Sequence, residues 1–251
     1  MSEPARPGPP AALGEGEIHV WTVSPARIRQ PSQLAACERL LSEEERARCA
    51  RREIEASRHE FLVSHAFLRL VLSQYASVAP AAWIFRATEH GRPEIAGPDG
   101  HGPLTFNLSH TDGLAAVAVA GGLEVGVDVE ALDRREVERG FAARFFAPAE
   151  VEALGRQPEA ARHRAFLQLW TLKEAYIKAR GLGLALPLHA FAFSRAGGTP
   201  AVAFTPEIAD DPATWQFVEL TPTPEHVLAV AVRRPAGVRM SVQIRDGLGL
   251  F

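Results

Sequence analysis

Leu114-Ala-Ala-Val-Ala-Val119 recurs almost unchanged as Val227-Leu-Ala-Val-Ala-Val232 near the end of the chain. Both segments are short, apolar and rich in valine, which is typical of strands buried on both faces. Each follows a long amphipathic helix and further strand-like segments, so the second part of the chain repeats the order of the first. Small apolar strands resemble one another by chance, and this pattern alone leaves both duplication and coincidence open.

A duplication would make the protein an α+β pseudo-dimer of two similar α+β halves, with a ligand cleft at their interface. We expect residues 1–16 to be a disordered lead-in, residues 17–122 to form the N-terminal half and residues 123–251 the C-terminal half. Hydrophobic residues make up 47% of the 251 residues, which is enough to bury a sizeable core.

Local patterns predict the main helices. Ser42-Glu-Glu-Glu45 has the form of a capping box and predicts a helix start. Apolar residues at helical spacing predict long helices over 58–75 and 162–180, with a further helix over 134–146.

Charge and apolar runs exclude several classes of protein. The net charge near −3 argues against nucleic-acid binding, which normally needs a basic excess. The longest apolar run, Leu114 to Leu123, is far shorter than the roughly 20 residues of a membrane span. Two cysteines, Cys37 and Cys49, do not make a disulfide framework. These features predict a cytoplasmic protein without a membrane or nucleic-acid partner.

The segment Gly126-Val-Asp-Val-Glu130 is a candidate metal-binding strand. It is expected to pair with the strand over 114–120 as a hairpin across Gly121-Gly122. Asp128 and Glu130 would leave the same face about 7 Å apart, close enough to share a divalent cation with a phosphate. A strand with one solvated face shows the same alternation, although two acids in an apolar segment are costly unless paired or liganded.

The second candidate is Trp170-Thr-Leu-Lys-Glu-Ala-Tyr-Ile-Lys178, which contains both lysines among the 27 basic residues of the chain. Trp170, Glu174 and Lys178 fall on one stripe of a helix. Lysine can donate a proton or bridge phosphate oxygens, whereas a guanidinium does not deprotonate. An exposed Glu–Lys pair is the ordinary alternative and contributes only a few tenths of a kcal/mol.

Ser109 and His110 end the segment Phe106-Asn-Leu-Ser-His110 and form the third candidate. A nucleophilic triad would need a pattern such as G-x-S-x-G, which is missing from the sequence. A hydroxyl and an imidazole at a strand end can also bind phosphate. A capping serine beside a partly buried histidine is the remaining interpretation.

Together these segments resemble the Sfp-type 4′-phosphopantetheinyl transferases. The two family signatures, G-V/I-D-V/I-E and W-x-x-K-E-A-x-x-K, stand here at 126–130 and 170–178. Further segments resemble the family in the same order: Leu41-Ser-Glu-Glu-Glu-Arg46, His90-Gly-Arg-Pro93, Phe106-Asn-Leu-Ser-His110, Arg144-Phe-Phe146 and Gly181-Leu-Gly-Leu-Ala-Leu-Pro187. The resemblance extends over roughly residues 20–232.

The resemblance implies a pseudo-dimer with coenzyme A between its halves. It implies that Asp128, Glu130 and Glu174 hold magnesium against the coenzyme A pyrophosphate, and hard oxygen ligands suit that ion. It places Lys178 near the same pyrophosphate.

Four positions match residues that contact the phosphates of coenzyme A: Arg48, Arg92, Ser109 and His110. Glu45 departs from the pattern, because the surfactin-synthetase-activating enzyme has a basic residue there that contacts the 3′-phosphate. Arg48 and Arg46 are the candidates to replace that contact. Glu150 matches an acid near the site, and neither it nor Lys173 has a role assigned by the sequence.

The implied activity is that of a holo-[acyl-carrier-protein] synthase, acting as a monomer. A serine of an apo acyl or peptidyl carrier protein would attack coenzyme A and release 3′,5′-ADP. Glu174 or a metal-held water would take the serine proton, and Lys178 would stabilise or protonate the leaving phosphate. The pathway would be fatty-acid, polyketide or nonribosomal peptide synthesis. A non-catalytic carrier-binding module and a metal-dependent phosphohydrolase are the alternatives.

Overall fold

Two antiparallel three-strand arrangements with the same connectivity organise the chain in the computed structural model, which describes residues 13–134 and 140–251. The strands are β1 (Glu17–Val23), β2 (Ile84–Ala87), β3 (Pro93–Gly97), β4 (Leu104–Thr111), β5 (Leu114–Gly121), β6 (Val125–Ala131), β7 (Phe191–Ala196), β8 (Thr199–Phe204), β9 (Trp215–Leu220), β10 (His226–Arg233) and β11 (Ser241–Asp246). The α-helices are α1 (Pro31–Leu40), α2 (Glu43–Ala50), α3 (Glu55–Leu72), α4 (Phe141–Phe145), α5 (Pro148–Gly155) and α6 (Glu159–Arg180).

The sheet topology confirms the duplicated α+β fold. The first sheet has the order β11-β1-β5-β4 and the second has the order β6-β10-β9. In the first sheet β1 pairs with β5, which also pairs with β4. In the second sheet β6 pairs with β10, which also pairs with β9. Each half also has a separate two-stranded hairpin, β2-β3 or β7-β8, that follows its long helix.

The two repeated apolar segments are the middle strands β5 and β10, and each is buried on both faces. In β5, Ala116 and Ala118 face the second sheet while Val117 packs against α3. In β10, Val230 faces the first sheet while Ala229 packs against α6. When the two segments are aligned letter by letter, residues that face the other sheet in β5 fall opposite residues that face α6 in β10, so the alignment is out of phase by one residue. Because both strands are apolar on both faces, the sequence alone does not show which residues share a face.

The predicted hairpin between the 114–120 strand and the strand after Gly121-Gly122 is wrong. β5 is bordered by β1 on one edge and β4 on the other, so it has no free edge for β6. β6 pairs instead with β10, and the two glycines carry the chain from the first sheet to the second.

The capping-box prediction is confirmed at the start of α2. The Ser42 hydroxyl accepts from the Glu45 N–H at 3.1 Å, and a Glu45 carboxylate oxygen accepts from the Ser42 N–H at 2.9 Å. The helices predicted over 58–75 and 162–180 are present as α3 and α6, each starting three residues earlier.

Two sequence predictions fall partly outside the described residues. Residues 135–139 of the helix expected over 134–146 are not described, and the helix that is described there is α4. Residues 1–12 of the expected lead-in also lie outside, and residues 13–16 lead directly to β1. In the described part of the chain, no helix is both long and apolar enough to cross a bilayer.

The final strand belongs to the sheet of the opposite half. β11 pairs in parallel with β1, from Glu17 opposite Ser241 to Thr22 opposite Asp246. The division into residues 17–122 and 123–251 stays a prediction.

Close packing of α6 on β6 depends on Gly126. A Cβ at this position would lie 2.1 Å from the Ala175 carbonyl oxygen and 2.5 Å from the Ala179 nitrogen. Because these are backbone atoms of α6, a larger residue can fit only if the whole helix moves. The glycine that opens the G-V-D-V-E signature is thus a contact between helix and strand.

Gly126→Ala should destabilise the protein by about 3 kcal/mol, since overpacking against backbone has no flexible side chain to absorb it. Urea unfolding measures this. The control is Gly155→Ala at the end of α5, where the new Cβ would contact no described residue beyond its chain neighbours and the backbone of its own helix. That variant should be neutral or more stable by up to about 1 kcal/mol. Equal stability changes in the two variants would contradict the packing argument.

Candidate active site

A polar seam joins the two halves of the molecule. Alternate side chains of β4 point to one side and accept hydrogen bonds from backbone N–H groups on the edge of β6. The pairs are Asn107 with Val127 at 2.9 Å, Ser109 with Val129 at 3.4 Å and Thr111 with Ala131 at 3.4 Å. The seam places the β6 carboxylates beside β4 and against α6.

Asp128 is the buried centre of this region. One carboxylate oxygen, Oδ1, accepts from the Ser109 hydroxyl at 3.0 Å and from Lys178 Nζ at 2.6 Å. Lys178 also donates to the Ser109 hydroxyl at 2.9 Å. The second oxygen, Oδ2, is buried and has no hydrogen-bond partner among the described residues. An unpaired buried carboxylate oxygen is costly and marks a place for a donor or a cation.

Glu130 is also buried and is held by cationic and aromatic donors. Its Oε1 accepts from Trp170 Nε1 at 2.9 Å and from the Arg134 guanidinium. Burial raises the pKa of Glu130, and the negative charge of Asp128 raises it further. The two acids of β6 therefore lie close enough to repel each other.

Glu174 completes an acidic cluster from the α6 side. Burial and the charges of Asp128 and Glu130 raise its pKa to about 7, against the opposing charge of Lys178. Within residues 13–134 and 140–251, no group of three or more His, Cys, Asp or Glu side chains is arranged as a ready-made metal site. Lys178 and Arg134 instead neutralise the two β6 carboxylates.

A cleft of about 260 Å³ opens beside the acidic cluster and is lined by Glu174, Lys178 and Arg92. Arg92 donates to the Ala179 carbonyl oxygen at 2.6 Å, while its buried Nε has no partner in the described structure. Gly181 ends α6 with a φ of +65°, and a Cβ there would lie 2.9 Å from Arg92 Cδ. The helix therefore ends in a glycine at the place where the Arg92 side chain passes over it. Burial lowers the pKa of Arg92.

The predicted site residues separate into two groups. Six of them meet around the cleft and the seam: Arg92, Ser109, Asp128, Glu130, Glu174 and Lys178. Two lie toward α2 and α3. His110 Nδ1 is 3.0 Å from Glu60 Oε1, and Arg48 is exposed with its guanidinium 5.5 Å from the Phe61 ring centroid. Successive residues of a strand face opposite sides, which explains why Ser109 and His110 have different neighbours.

Contacts with Arg69 and His65 explain why an acid occupies position 45. Its carboxylate accepts from Arg69 at 2.7 and 3.0 Å and lies 3.2 Å from His65 Nδ1. Burial works to raise the Glu45 pKa, but these contacts and the Ser42 N–H outweigh it and lower the pKa to about 2. Arg46 and Arg48 are both exposed, and Arg46 donates to the carbonyl oxygen of Leu41.

Lys173 and Glu150, which the sequence left without a role, form a buried pair on the other side of α6. Lys173 Nζ lies 2.8 Å from Glu150 Oε2 and donates to the carbonyl oxygens of Leu188 and Phe191 at 2.8 and 2.7 Å. Burial lowers the Lys173 pKa and raises that of Glu150, and each partner opposes the shift. The pair anchors α6 to α5 and β7, away from the cleft.

Sequence reasoning missed four polar residues that the structure brings into play: Asn107, Thr111, Glu60 and His65. The alternation of Asn107, Ser109 and Thr111 was a readable signal, since it places three polar groups on one strand face. Glu60 and His65 gave no such signal, because an amphipathic helix has many polar positions.

Comparison with known proteins identifies the family. The sequence model for the 4′-phosphopantetheinyl transferase superfamily matches residues 124–231, and that for the 4′-phosphopantetheinyl transferase N-terminal region matches residues 28–121. The 4′-phosphopantetheinyl transferase HetI of Nostoc sp. is 34% identical over 228 residues, covering 90% of this chain and 92% of the relative. The chain belongs to the 4′-phosphopantetheinyl transferases. The resemblance inferred from the sequence is confirmed, and the protein is a transferase.

Other phosphopantetheinyl transferases match with shorter or weaker similarity. The Sfp transferase of Bacillus subtilis is 31% identical over 152 residues, covering 60% of this chain and 65% of the relative. The transferase psf-1 of Bacillus pumilus is 27% identical over 205 residues, covering 81% and 84%. Among solved structures, the holo-[acyl-carrier-protein] synthase of Thermotoga maritima has a TM-score of 0.37 at 22% identity, covering 45% of this chain and 64% of that chain.

The raised pKa of Glu174 predicts a pH-dependent effect of Glu174→Gln on stability. In the folded protein the pKa of Glu174 is raised to about 7, so the carboxyl keeps its proton well above the pH at which an exposed glutamate loses it. The stabilisation from that proton is present below the unfolded pKa and is lost as the pH rises through about 7. Glutamine stays neutral, so the variant should match wild type at pH 5 and exceed it at pH 8 by up to about 3 kcal/mol.

Urea unfolding at the two pH values, in metal-free buffer, measures this difference. Glu89→Gln on the surface is the control for the loss of one carboxyl outside the acidic cluster. A stability difference for Glu174→Gln that is the same at both pH values would contradict the charge cluster.

Proposed function

We propose that this transferase moves the 4′-phosphopantetheine arm of coenzyme A to a serine of an apo acyl or peptidyl carrier protein and releases 3′,5′-ADP. The observation that carries the proposal is the cluster at the junction of the two halves, where Asp128, Ser109 and Lys178 are mutually hydrogen-bonded beside Glu174. The names of the relatives support the same activity.

The cleft suits the phosphate-bearing part of coenzyme A. Lys178 and Arg92 supply two cations at its wall, and Arg92 Nε is a buried donor in need of an acceptor. Charge-assisted donors of this kind bind phosphate oxygens strongly. We propose that the cleft, about 260 Å³ in volume, takes the diphosphate region of coenzyme A.

The acidic cluster has the donor chemistry for magnesium, although its carboxylates do not converge as a ready-made site in the described residues. Asp128 Oδ2 is buried and has no hydrogen-bond partner among the residues that the structure describes. The acids of the cluster are hard oxygen ligands, the type that magnesium prefers. We propose that Asp128, Glu130 and Glu174 hold the ion. When bound, magnesium neutralises negative charge on the pyrophosphate of the substrate.

Glu174 is proposed as the proton acceptor. The pKa of about 7 belongs to the Glu174 carboxyl without a bound cation. A magnesium ion beside it would keep the carboxyl ionised, and the carboxylate can accept the carrier serine proton as the hydroxyl attacks. The serine oxygen forms a bond to the β-phosphorus, and the bond from that phosphorus to the bridging oxygen breaks. The bridging oxygen leaves with 3′,5′-ADP, and the serine proton moves to Glu174.

Lys178 is proposed to stabilise the leaving phosphate. Its Nζ is already fixed by Asp128 and the Ser109 hydroxyl, and its side chain is 27% exposed toward the cleft. A preorganised ammonium lowers the energy of the charge that develops on the leaving oxygen. The residues of the site come from both halves of a single chain, which supports a monomeric enzyme. We also propose a cytoplasmic location from the sequence.

Glu174→Gln should reduce transfer by at least about a hundredfold, because the amide cannot accept the serine proton. The assay combines the enzyme with magnesium, coenzyme A and a panel of apo carriers, and mass spectrometry detects the added arm. Glu89→Gln is the activity control. Wild-type rates in Glu174→Gln would refute its role, and the absence of any mass gain with wild type would refute the proposed function. Coenzyme A cleavage without a carrier would instead indicate a phosphohydrolase.

Lys178→Arg should lower kcat about tenfold or more, although it keeps the positive charge. The guanidinium is larger and planar, so it cannot occupy the same position between Asp128 and Ser109. Steady-state kinetics measure the change, with Arg156→Lys at the exposed residue that follows α5 as the matched control. Full turnover in Lys178→Arg would show that any cation at this position suffices.

A further inference from the structure

The two acids of β6 are each balanced by a cation. The side chains of Asp128 and Glu130 are only 6% exposed, and buried carboxylates are costly unless cations or donors compensate them. Lys178 binds Asp128, and the Arg134 guanidinium binds Glu130. The acidic cluster therefore already holds positive charge at both positions that we assign to the metal on this strand.

The two cations are not held equally. Lys178 is bonded to both Asp128 and the Ser109 hydroxyl, at 2.6 and 2.9 Å, and its side chain is 27% exposed. The Arg134 side chain is 43% exposed, and in the described part of the chain its guanidinium is bonded to Glu130. An ion pair that is open to water on its cationic side is weakened by screening. Arg134 is therefore the cation that can be released at the smaller cost.

The backbone that carries Arg134 is fixed beside the cluster. Its N–H donates to the Ala131 carbonyl oxygen at 3.3 Å, which closes a turn at the end of β6. Within that turn the Leu132 N–H donates to the Glu225 carbonyl oxygen at 2.8 Å, and His163 Nε2 lies 3.0 Å from the Leu132 carbonyl oxygen. Release of the guanidinium thus requires only rotation of a side chain toward solvent.

A divalent cation and the Arg134 guanidinium would compete at the same carboxylate. Glu130 Oε1 accepts from the neutral Trp170 Nε1 at 2.9 Å as well as from Arg134. Burial raises the pKa of Glu174, and the charge of Arg134 is among those that oppose the rise, so the guanidinium is within electrostatic range of this carboxyl also. When the three acids are ionised, Lys178 and a divalent cation together neutralise them. Arg134 is then in excess and is repelled.

We propose that Arg134 is a displaceable counter-cation of the acidic cluster, which competes with magnesium for Glu130 and thereby sets the magnesium concentration that the enzyme requires. This inference rests on the proposed function, in which Asp128, Glu130 and Glu174 hold the ion. Lys178 stays in place, because the Ser109 hydroxyl holds it in addition to Asp128. Trp170 stays as well, since its neutral N–H orients Glu130 without opposing a cation.

Urea unfolding of the metal-free protein in increasing MgCl2, at an ionic strength held constant with NaCl, measures the binding of magnesium alone without turnover. Arg134→Gln should bind magnesium about fivefold more tightly than wild type, because the amide can still donate to Glu130 but carries no charge. Arg134→Lys keeps a cation and should stay within about twofold of wild type. The matched control is Arg156→Gln, which removes the cation of another pair at i,i+4 spacing and should change nothing.

The opposite role for Arg134 predicts the opposite result. If the guanidinium held Glu130 in the orientation that a metal needs, Arg134→Gln and Arg134→Ala would both bind magnesium more weakly than wild type. Weaker binding in these variants, affinities equal to that of wild type, or no stabilisation of any form by MgCl2 would each overturn the inference.

A measurement on the wild-type protein covers the case in which the variants do not fold. Magnesium should increase the reaction of Arg134 with phenylglyoxal, mapped by peptide mass spectrometry, because the guanidinium is released from its carboxylate. Arg156 is the internal control and should react equally with and without magnesium. Unchanged or reduced reaction at Arg134 would contradict its release.

The transfer assay separates this inference from the proposed function. At saturating coenzyme A and carrier, Arg134→Gln should reach half-maximal transfer at a lower magnesium concentration than wild type. Transfer with the same magnesium requirement in both would overturn the inference and leave the proposed function intact. Tighter magnesium binding by Arg134→Gln without transfer to any carrier would support the inference on the metal site and refute the proposed function.

Discussion

The seam between β4 and β6 is the interaction on which the rest of the site depends. Buried backbone N–H groups need partners, and the edge of β6 presents N–H groups to a strand whose own backbone is paired with β5. Side-chain oxygens of β4 solve this problem and also set the register between the halves. Only in that register does Ser109 meet Asp128, because a shift by one residue would bring Leu108 or His110 to this position.

Burial gives the two lysines of α6 different properties. Lys173 has no exposed side-chain surface and is enclosed by Glu150 and two carbonyl oxygens. Its amino group therefore holds α6 against these neighbours. Lys178 is 27% exposed and bonded to Asp128, whose other oxygen has no partner in the described structure. The same residue type thus acts as an anchor where it is fully enclosed, and it has the exposure required of the proposed reactive cation where one side is open.

Much of the fold followed from the sequence because it rests on local pattern. Capping at Ser42 and helical periodicity identified the long helices, and the repeated order of elements identified the duplication. Strand pairing was less accessible, since the partner of β6 depends on which edges are free in three dimensions. Within the site, contiguous motifs were informative, whereas the Glu60–His110 contact joins residues distant in sequence on elements that show no pattern linking them.

The pairing of β11 with β1, in the sheet of the N-terminal half, has a consequence for synthesis on the ribosome. The first sheet acquires its edge strand only after Asp246 has been made, and β11 lies beside β1 at the opposite end of the sequence. Until then β1 has a free edge on the side away from β5. The N-terminal half is therefore unfinished throughout translation, and its completion coincides with that of the second half. A protein built from two repeats thus matures as one unit.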